Sequence, residues 1–227
     1  MRLAEGVLVG LLCAIDRVQP MAEQSSSAIS EQFPKLILAS NSPRRRELLA
    51  AAGYRFEVHP PSPQAESDQP LPGETPEQLV ARLALQKAAD VAPRVTHGVI
   101  VACDTVVECD GQILGKPRDQ SDARNMLQML SGREHRVLSG LCVWPVGGAG
   151  PDVRVAVTRL RMDRLSQEQL EQYIASGQWA GKAGAFGYQD RLGWIHVIDG
   201  SQSNVVGLPM ELLAEMLARH GFSQPCP

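Results

Sequence analysis

Hydrophobic positions along this chain come in two patterns. Short unbroken apolar runs predict strands buried on both faces, and runs with a period near 3.6 predict helices with one apolar side. Residues 36–39 form the first apolar run and predict a buried strand. Ser42 and Pro43 follow as N-cap and first residue of a helix to Ala52, closed by Gly53. Residues 54–58 predict a second strand, and the proline-rich polar stretch 60–73 a loop. Thr75-Pro76-Glu77-Gln78 is a capping box launching a helix with Leu79, Val80, Leu83, Ala84 and Ala88 on one face. Residues 99–103 predict a central strand that ends before Asp104. Asp110-Gly111 predicts a hairpin between Val106-Val107 and Ile113-Leu114.

Further on, a helix is expected over 121–130, closed near Gly132. Two long strands, 136–146 and 153–161, are joined by the glycine-rich piece 147–150. Ser166-Gln167-Glu168-Gln169 is a second capping box, and its helix stops at Gly177. A glycine-rich loop over 181–187 leads to a strand at 192–198, and a last helix runs from Pro209 to Gly221. Helices and strands interleave throughout, which defines an α/β fold.

The N-terminus differs. Residues 6–15 are apolar but too few to span a bilayer, and Glu5 spoils a signal-peptide leader. Met21 opens a polar, serine-rich stretch and offers a second translation start. Residues 1–34 are therefore expected to be a flexible extension, 35–222 the folded domain, and 223–227 a tail.

With 44% hydrophobic and 21% charged residues in 227, the composition is that of a soluble globular protein. A net charge of −3 argues against holding long nucleic acids by their phosphates and leaves room for one local basic pocket. Five cysteines without a C-x-x-C pair argue against a disulfide framework or a zinc knuckle and fit a reducing compartment. The expectation is a cytoplasmic protein with no nucleic-acid or membrane partner.

Three segments are costly for stability alone. In Ser40-Asn41-Ser42-Pro43-Arg44-Arg45-Arg46 a strand turns sharply into a helix, so backbone N–H groups face an anion site for which phosphate is the natural guest. Arg44 and Arg45 there oppose the helix dipole at about 0.3–1 kcal/mol each. The other reading of this turn is a solvated basic face. Asp104, at the expected end of a buried strand, could take a proton from water, hold a divalent metal, or only cap a turn. Gly115-Lys116-Pro117 adds a cation on a stiffened loop, although Lys116, Lys87 and Glu66 each taken alone read as solvated. Together, cations, an anion-binding turn and a carboxylate suit hydrolysis of a polyphosphate.

The ordered motifs carry a resemblance. Ser40–Arg45 (S-N-S-P-R-R), 103–107 (C-D-T-V-V), Gly115-Lys116-Pro117, Leu130-Ser131-Gly132 with His135, 182–189 (K-A-G-A-F-G-Y-Q) and 204–209 (N-V-V-G-L-P) are similar to the signatures of the Maf nucleotide pyrophosphatases. The resemblance implies a mixed twisted sheet with flanking helices and two lobes around a deep cleft, as in inosine triphosphate pyrophosphatases. It implies hydrolysis between the α- and β-phosphates, with magnesium, or alternatively manganese, held by Glu66 and Asp104. Asp104 takes the place of the proton acceptor, and Ser40, Arg45, Glu66, Lys87 and Lys116 match the substrate-binding positions. Arg44, Thr105 and Gln189 match positions that separate the subfamilies and point to the dTTP/UTP branch. The competing readings are a 7-methyl-GTP pyrophosphatase and a nucleotide-binding regulator of cell division, and a homodimer is left open. Cys103, Ser139, Tyr188 and Asp190 depart from the usual alanine, threonine, isoleucine and glycine.

Overall fold

The computed structural model describes residues 35–66 and 69–222. The expected extension over 1–34 and the expected tail over 223–227 lie outside the described residues.

Seven strands form one mixed sheet: β1 (Leu36–Leu38), β2 (Phe56–Val58), β3 (Val99–Cys109), β4 (Gln112–Leu114), β5 (Glu134–Pro145), β6 (Asp152–Met162) and β7 (Ile195–Asp199). Their order is β2-β1-β3-β5-β6-β7, with β4 pairing β3. β1 runs parallel to β2 and to β3, and the other pairings are antiparallel. The helices are α1 (Pro43–Ala51), α2 (Pro76–Val91), α3 (Gln120–Leu130), α4 (Gln167–Ser176), α5 (Gln202–Val206) and α6 (Met210–Ala218).

Side-chain alternation sorts these helices onto the two faces of the sheet. Leu36 and Leu38 pack with Val101, Leu49 of α1 and Leu213 of α6. Ile37, pointing the other way, packs with Ile100, Ala84 and Ala88 of α2. Farther along β3, on the α1 face, Val107 joins Leu127 of α3 and Tyr173 of α4 in a separate cluster. Two apolar layers thus cover one face of the long strands, and residues 104–106 of β3 belong to neither.

Both predicted capping boxes form: Thr75 accepts from the Gln78 N–H and Ser166 from the Gln169 N–H, with the glutamine amides answering. Several expectations need correction. β3 does not stop at Cys103 but runs on to Cys109, because β5 pairs with it along its length and supplies the ladder that a strand end would lack. β2 starts at Phe56, since Tyr54 is buried in the α1 layer instead. β7 starts at Ile195, because Arg191 (φ 53°) and Gly193 (φ 75°) are left-handed and cannot extend. Helix α5 overlaps the start of the motif at 204–209 and carries no apolar periodicity to announce it.

One close approach fixes α2 on the sheet. Gly140 on β5 sits opposite Asp104 on β3, and a Cβ there would overlap the Val80 carbonyl of α2 and lie 2.7 Å from the Ala81 nitrogen. Backbone cannot yield as a side-chain tip can. Gly140→Ala should therefore lower stability by about 3 kcal/mol, the upper end of ordinary overpacking. A urea midpoint unchanged from wild type would show instead that α2 can lift off the sheet at no cost.

Candidate active site

The site lies where the edge of β3 is bare. β1 pairs with β3 only over Val99–Val101, and the ladder ends with the Ala39 N–H donating to the Val101 carbonyl at 2.8 Å. β4 takes up the same edge at Val107. Between them, residues 102–106 have β5 on one side and no strand on the other. The chain leaves β1 for β2 on one flank and returns to β3 on the other, so the carboxyl end of β1 is a topological switch point, where open α/β sheets place ligands. A cavity of about 420 Å³ opens here, a volume typical of small-molecule sites.

The turn from β1 into α1 forms one wall. Ser42 is the N-cap of α1, yet its side chain makes no capping hydrogen bond, unlike those of Thr75, Asp119, Ser166 and Ser201 at other helices. The first turn of α1 thus lacks a side-chain cap, and its residues Pro43, Arg44 and Arg45 line the cavity, where free helix N-termini hold anions. Arg45 is buried, and each nitrogen of its guanidinium makes a hydrogen bond: Nε donates to the Gly207 carbonyl at 2.7 Å, and the other two donate to Ser40 Oγ and Thr105 Oγ1, each at 3.2 Å. Ser40 and Thr105 therefore act first as partners of Arg45, and Thr105 also bonds Ser139 Oγ at 2.8 Å. Arg44 lines the cavity and donates to the Gly181 carbonyl at 3.0 Å. Burial, and after it Arg45, lowers its pKa from the ordinary value, with Asp190 and Glu47 opposing.

Asp104 and Thr105 are consecutive and point to opposite faces of the sheet, yet both reach the cavity because the edge between them is open. Asp104, nearly buried, receives a 2.6 Å hydrogen bond from Lys87 Nζ of α2. A smaller cavity of about 180 Å³ shares Lys87, Asp104, Thr105 and Lys116 with the first. Lys116 thus stands at the junction of the two. Glu66 closes a 3-10 turn over Pro63–Glu66, and its side chain lies outside the described part.

The far end of the cavity is apolar, walled by Val107, Leu130, Val137, Leu160 and Phe186. The glycine-rich loop closes it. Gly184 (φ 66°) lies so close to β3 that a Cβ would meet Val107 Cγ2 at 2.9 Å, and its N–H donates to the Gly115 carbonyl at 3.0 Å, beside Lys116. Gln189 sits on this loop and lines the cavity with its amide. Ser40, Arg44, Arg45, Lys87, Asp104, Thr105, Lys116 and Gln189 are thereby brought to one cavity.

The structure adds residues that the sequence reading passed over as site residues. Lys182 lines the cavity, buried, with Nζ at 2.6 Å from both oxygens of Asp190. His135 also lines it, nearly buried, with Nδ1 lacking a hydrogen-bond partner. Burial lowers the His135 pKa against the pull of the Arg133 backbone and Glu108, so the ring is neutral at pH 7. Both lie within the quoted signatures, His135 after Leu130-Ser131-Gly132 and Lys182 at the head of 182–189, and that was the signal available for them.

Residues 35–220 match the family described as Maf-like protein. The chain belongs to that family. It is 51% identical over 199 residues to a dTTP/UTP pyrophosphatase of Rhodopirellula baltica, a match covering 87% of each chain. It is 44% identical to a dTTP/UTP pyrophosphatase of Syntrophomonas wolfei, over 81% of this chain and 96% of that one. Among solved structures, a HAM1 protein from Coxiella burnetii aligns at 15% identity and a TM-score of 0.48, over 82% of this chain and 100% of that one.

The geometry of this family member gives Arg45 a bracing role that a lysine could not fill, because one ammonium cannot reach acceptors in three segments. Arg45→Lys should cost about 2 kcal/mol through unsatisfied buried acceptors. Equal thermal midpoints for the two proteins would show that the brace is dispensable.

Proposed function

We propose that this chain hydrolyses dTTP and UTP to the nucleoside monophosphate and pyrophosphate. The observation that carries the reading is the Asp104 carboxylate, held at 2.6 Å by Lys87 on a bare strand edge beside the uncapped, arginine-bearing turn of α1. The names of the relatives at 51% and 44% identity support the same reaction.

The cavity gives the nucleotide a direction. Its apolar end suits the flat face of a base, and its cationic end suits phosphates, with the α1 turn on one side and Lys87 and Lys116 on the other; Arg44, bonded to the Gly181 carbonyl and near Asp190, reaches from the turn toward the base end. Asp104 stands between these cations and accepts a proton from the water that opens the α–β anhydride. The neighbouring ammonium keeps the carboxylate in place and balances its charge. Pyrophosphate leaves toward the smaller cavity, which shares Lys116.

A divalent ion fits this donor set. Among the described residues no group of three or more acidic, histidine or cysteine side chains is gathered. One carboxylate with substrate phosphate oxygens is, however, an arrangement magnesium commonly takes. Asp104, with Glu66 as the second expected ligand, would hold it, and bound magnesium would neutralise charge on the phosphate oxygens; manganese is the alternative ion.

Base choice is assigned to Gln189, with Arg44 and Thr105 setting the walls. The glutamine amide both donates and accepts, as does the O4/N3 edge of uracil or thymine. Three buried unpaired thiols, Cys103, Cys109 and Cys142, support a reducing compartment, consistent with cytoplasmic residence. No described helix is long and apolar enough to cross a membrane.

Product analysis with dTTP, UTP, CTP and 7-methyl-GTP tests the reading. Monophosphate and pyrophosphate should appear fastest from dTTP and UTP, should cease on chelation, and should return with magnesium. Faster release from 7-methyl-GTP would move the chain to the other branch. Asp104→Asn should lower kcat by about a hundred-fold or more while the protein stays folded. Full activity in that variant would remove Asp104 from the chemistry. Gln189→Glu should erode the UTP preference over 7-methyl-GTP by about ten-fold, because a carboxylate repels O4. An unchanged ratio of kcat/KM values would confine Gln189 to bracing the loop.

A further inference from the structure

Asp190 takes no part in the chemistry proposed above, yet it ends the turn that carries Gln189. Its carboxylate is almost fully enclosed. Lys182 Nζ reaches both of its oxygens at 2.6 Å, and the Tyr173 hydroxyl donates to Oδ2 at 2.7 Å. Tyr173 is itself anchored on α4. Its ring packs against Phe186 at 5.3 Å and Trp194 at 5.8 Å, and Phe186 is part of the cavity wall. A line of contacts thus runs from α4 through Tyr173 and Asp190 to Lys182 inside the cavity.

Gln189 immediately precedes Asp190 in the 3-10 turn Tyr188–Asp190. The residue is exposed and lines the cavity, and its side chain has no hydrogen-bond partner among the described residues, so no hydrogen bond on the amide itself fixes its direction. Its backbone is fixed instead. The Asp190 N–H donates to the Gly187 carbonyl at 3.1 Å, and Arg191 beyond is left-handed at φ 53°. The amide and the Lys182 ammonium both lie against the bare α-carbon of Gly187: a Cβ there would meet Gln189 Nε2 at 2.5 Å and Lys182 Nζ at 2.8 Å.

We infer that Asp190, gripped by Lys182 and Tyr173, is a positioning residue that fixes Gln189 over Gly187 and so sets the base selectivity of this chain. The inference rests on the dTTP/UTP reading of the site. The carboxylate pins the end of the turn that carries Gln189, and acts on the base only through the direction it gives that side chain.

The test measures kcat and KM for UTP and CTP in wild type, Asp190→Asn, Tyr173→Phe, Gln189→Ala and the double variant Gln189→Ala/Asp190→Asn. Asp190→Asn should lower the UTP-over-CTP ratio of kcat/KM by about five-fold or more, mainly through the KM for UTP, with kcat for UTP held within about three-fold. Tyr173→Phe should move the ratio the same way by less, and it carries the test should Asp190→Asn fail to fold. In the Gln189→Ala background, Asp190→Asn should not move the ratio further, an outcome that a merely structural role would not produce. A ratio unmoved in both Asp190→Asn and Tyr173→Phe overturns the inference, as does an equal shift with and without Gln189. If wild type hydrolyses UTP and the ratio does not move, only this inference falls. If wild type leaves UTP intact, the functional reading falls and the inference with it.

Discussion

A buried guanidinium must satisfy its donors wherever it is placed, and Arg45 satisfies its own on three separate pieces of chain. Its acceptors are Ser40 on the turn after β1, Thr105 in the middle of β3 and Gly207 after α5. Each acceptor is neutral, so the bonds supply direction rather than charge compensation. The consequence is geometric. The turn, the strand and the closing segment cannot shift independently, and the cavity keeps its shape before any ligand arrives. Asn204 secures the same segment from beneath, donating to the Val137 carbonyl at 3.1 Å and to Thr158 Oγ1 at 3.0 Å. Preorganisation of this kind lets cationic groups meet a phosphate without first being rearranged.

The bare edge of β3 has a simple origin. β1 is three residues long and β4 is three residues long, while β3 has eleven, so the short strands cannot cover it between them. A strand edge left open inside a protein is normally a liability. Here it exposes two consecutive side chains on opposite faces, Asp104 toward Lys87 and Thr105 toward Arg45, to one space. The close seat of α2 on Gly140 brings Lys87 within reach of Asp104, so a glycine on the neighbouring strand helps to set the distance between acid and cation.

Charge is distributed unevenly along the cavity. At one end Lys87 and Lys116 supply cations, with Asp104 the carboxylate between them. At the other, the Lys182 ammonium is cancelled by Asp190 against a wall of apolar and aromatic side chains. The proposed substrate would set its phosphates at the cationic end and its base at the neutral one. The aromatic group of Tyr173, Phe186 and Trp194 gives the neutral end its rigidity, since these rings pack at 5.3–5.8 Å and leave little room to adjust.

The sequence by itself determined the elements whose causes are local. Both capping boxes, the α1 start at Ser42-Pro43 and the stop at Gly177 follow from a few neighbouring residues and form as read. The ordered motifs also determined family membership, and eight of the polar residues expected at the site line one cavity, where Lys182 and His135 join them and Glu66 is not among the lining residues. Three things depended on distant partners and were decided only by tertiary structure. The extent of β3 past Asp104 is set by its ladder with β5, which no run of apolar residues in β3 encodes. The use of Arg45 as a brace requires Thr105 and Gly207, 60 and 162 residues away. The pairing of Asp190 with both Lys182 and Tyr173 depends on a loop with left-handed residues folding back to α4. Periodicity and caps report what a chain does within a turn or two; which buried charge meets which partner is fixed by packing, because burial makes an unpaired charge too costly to leave.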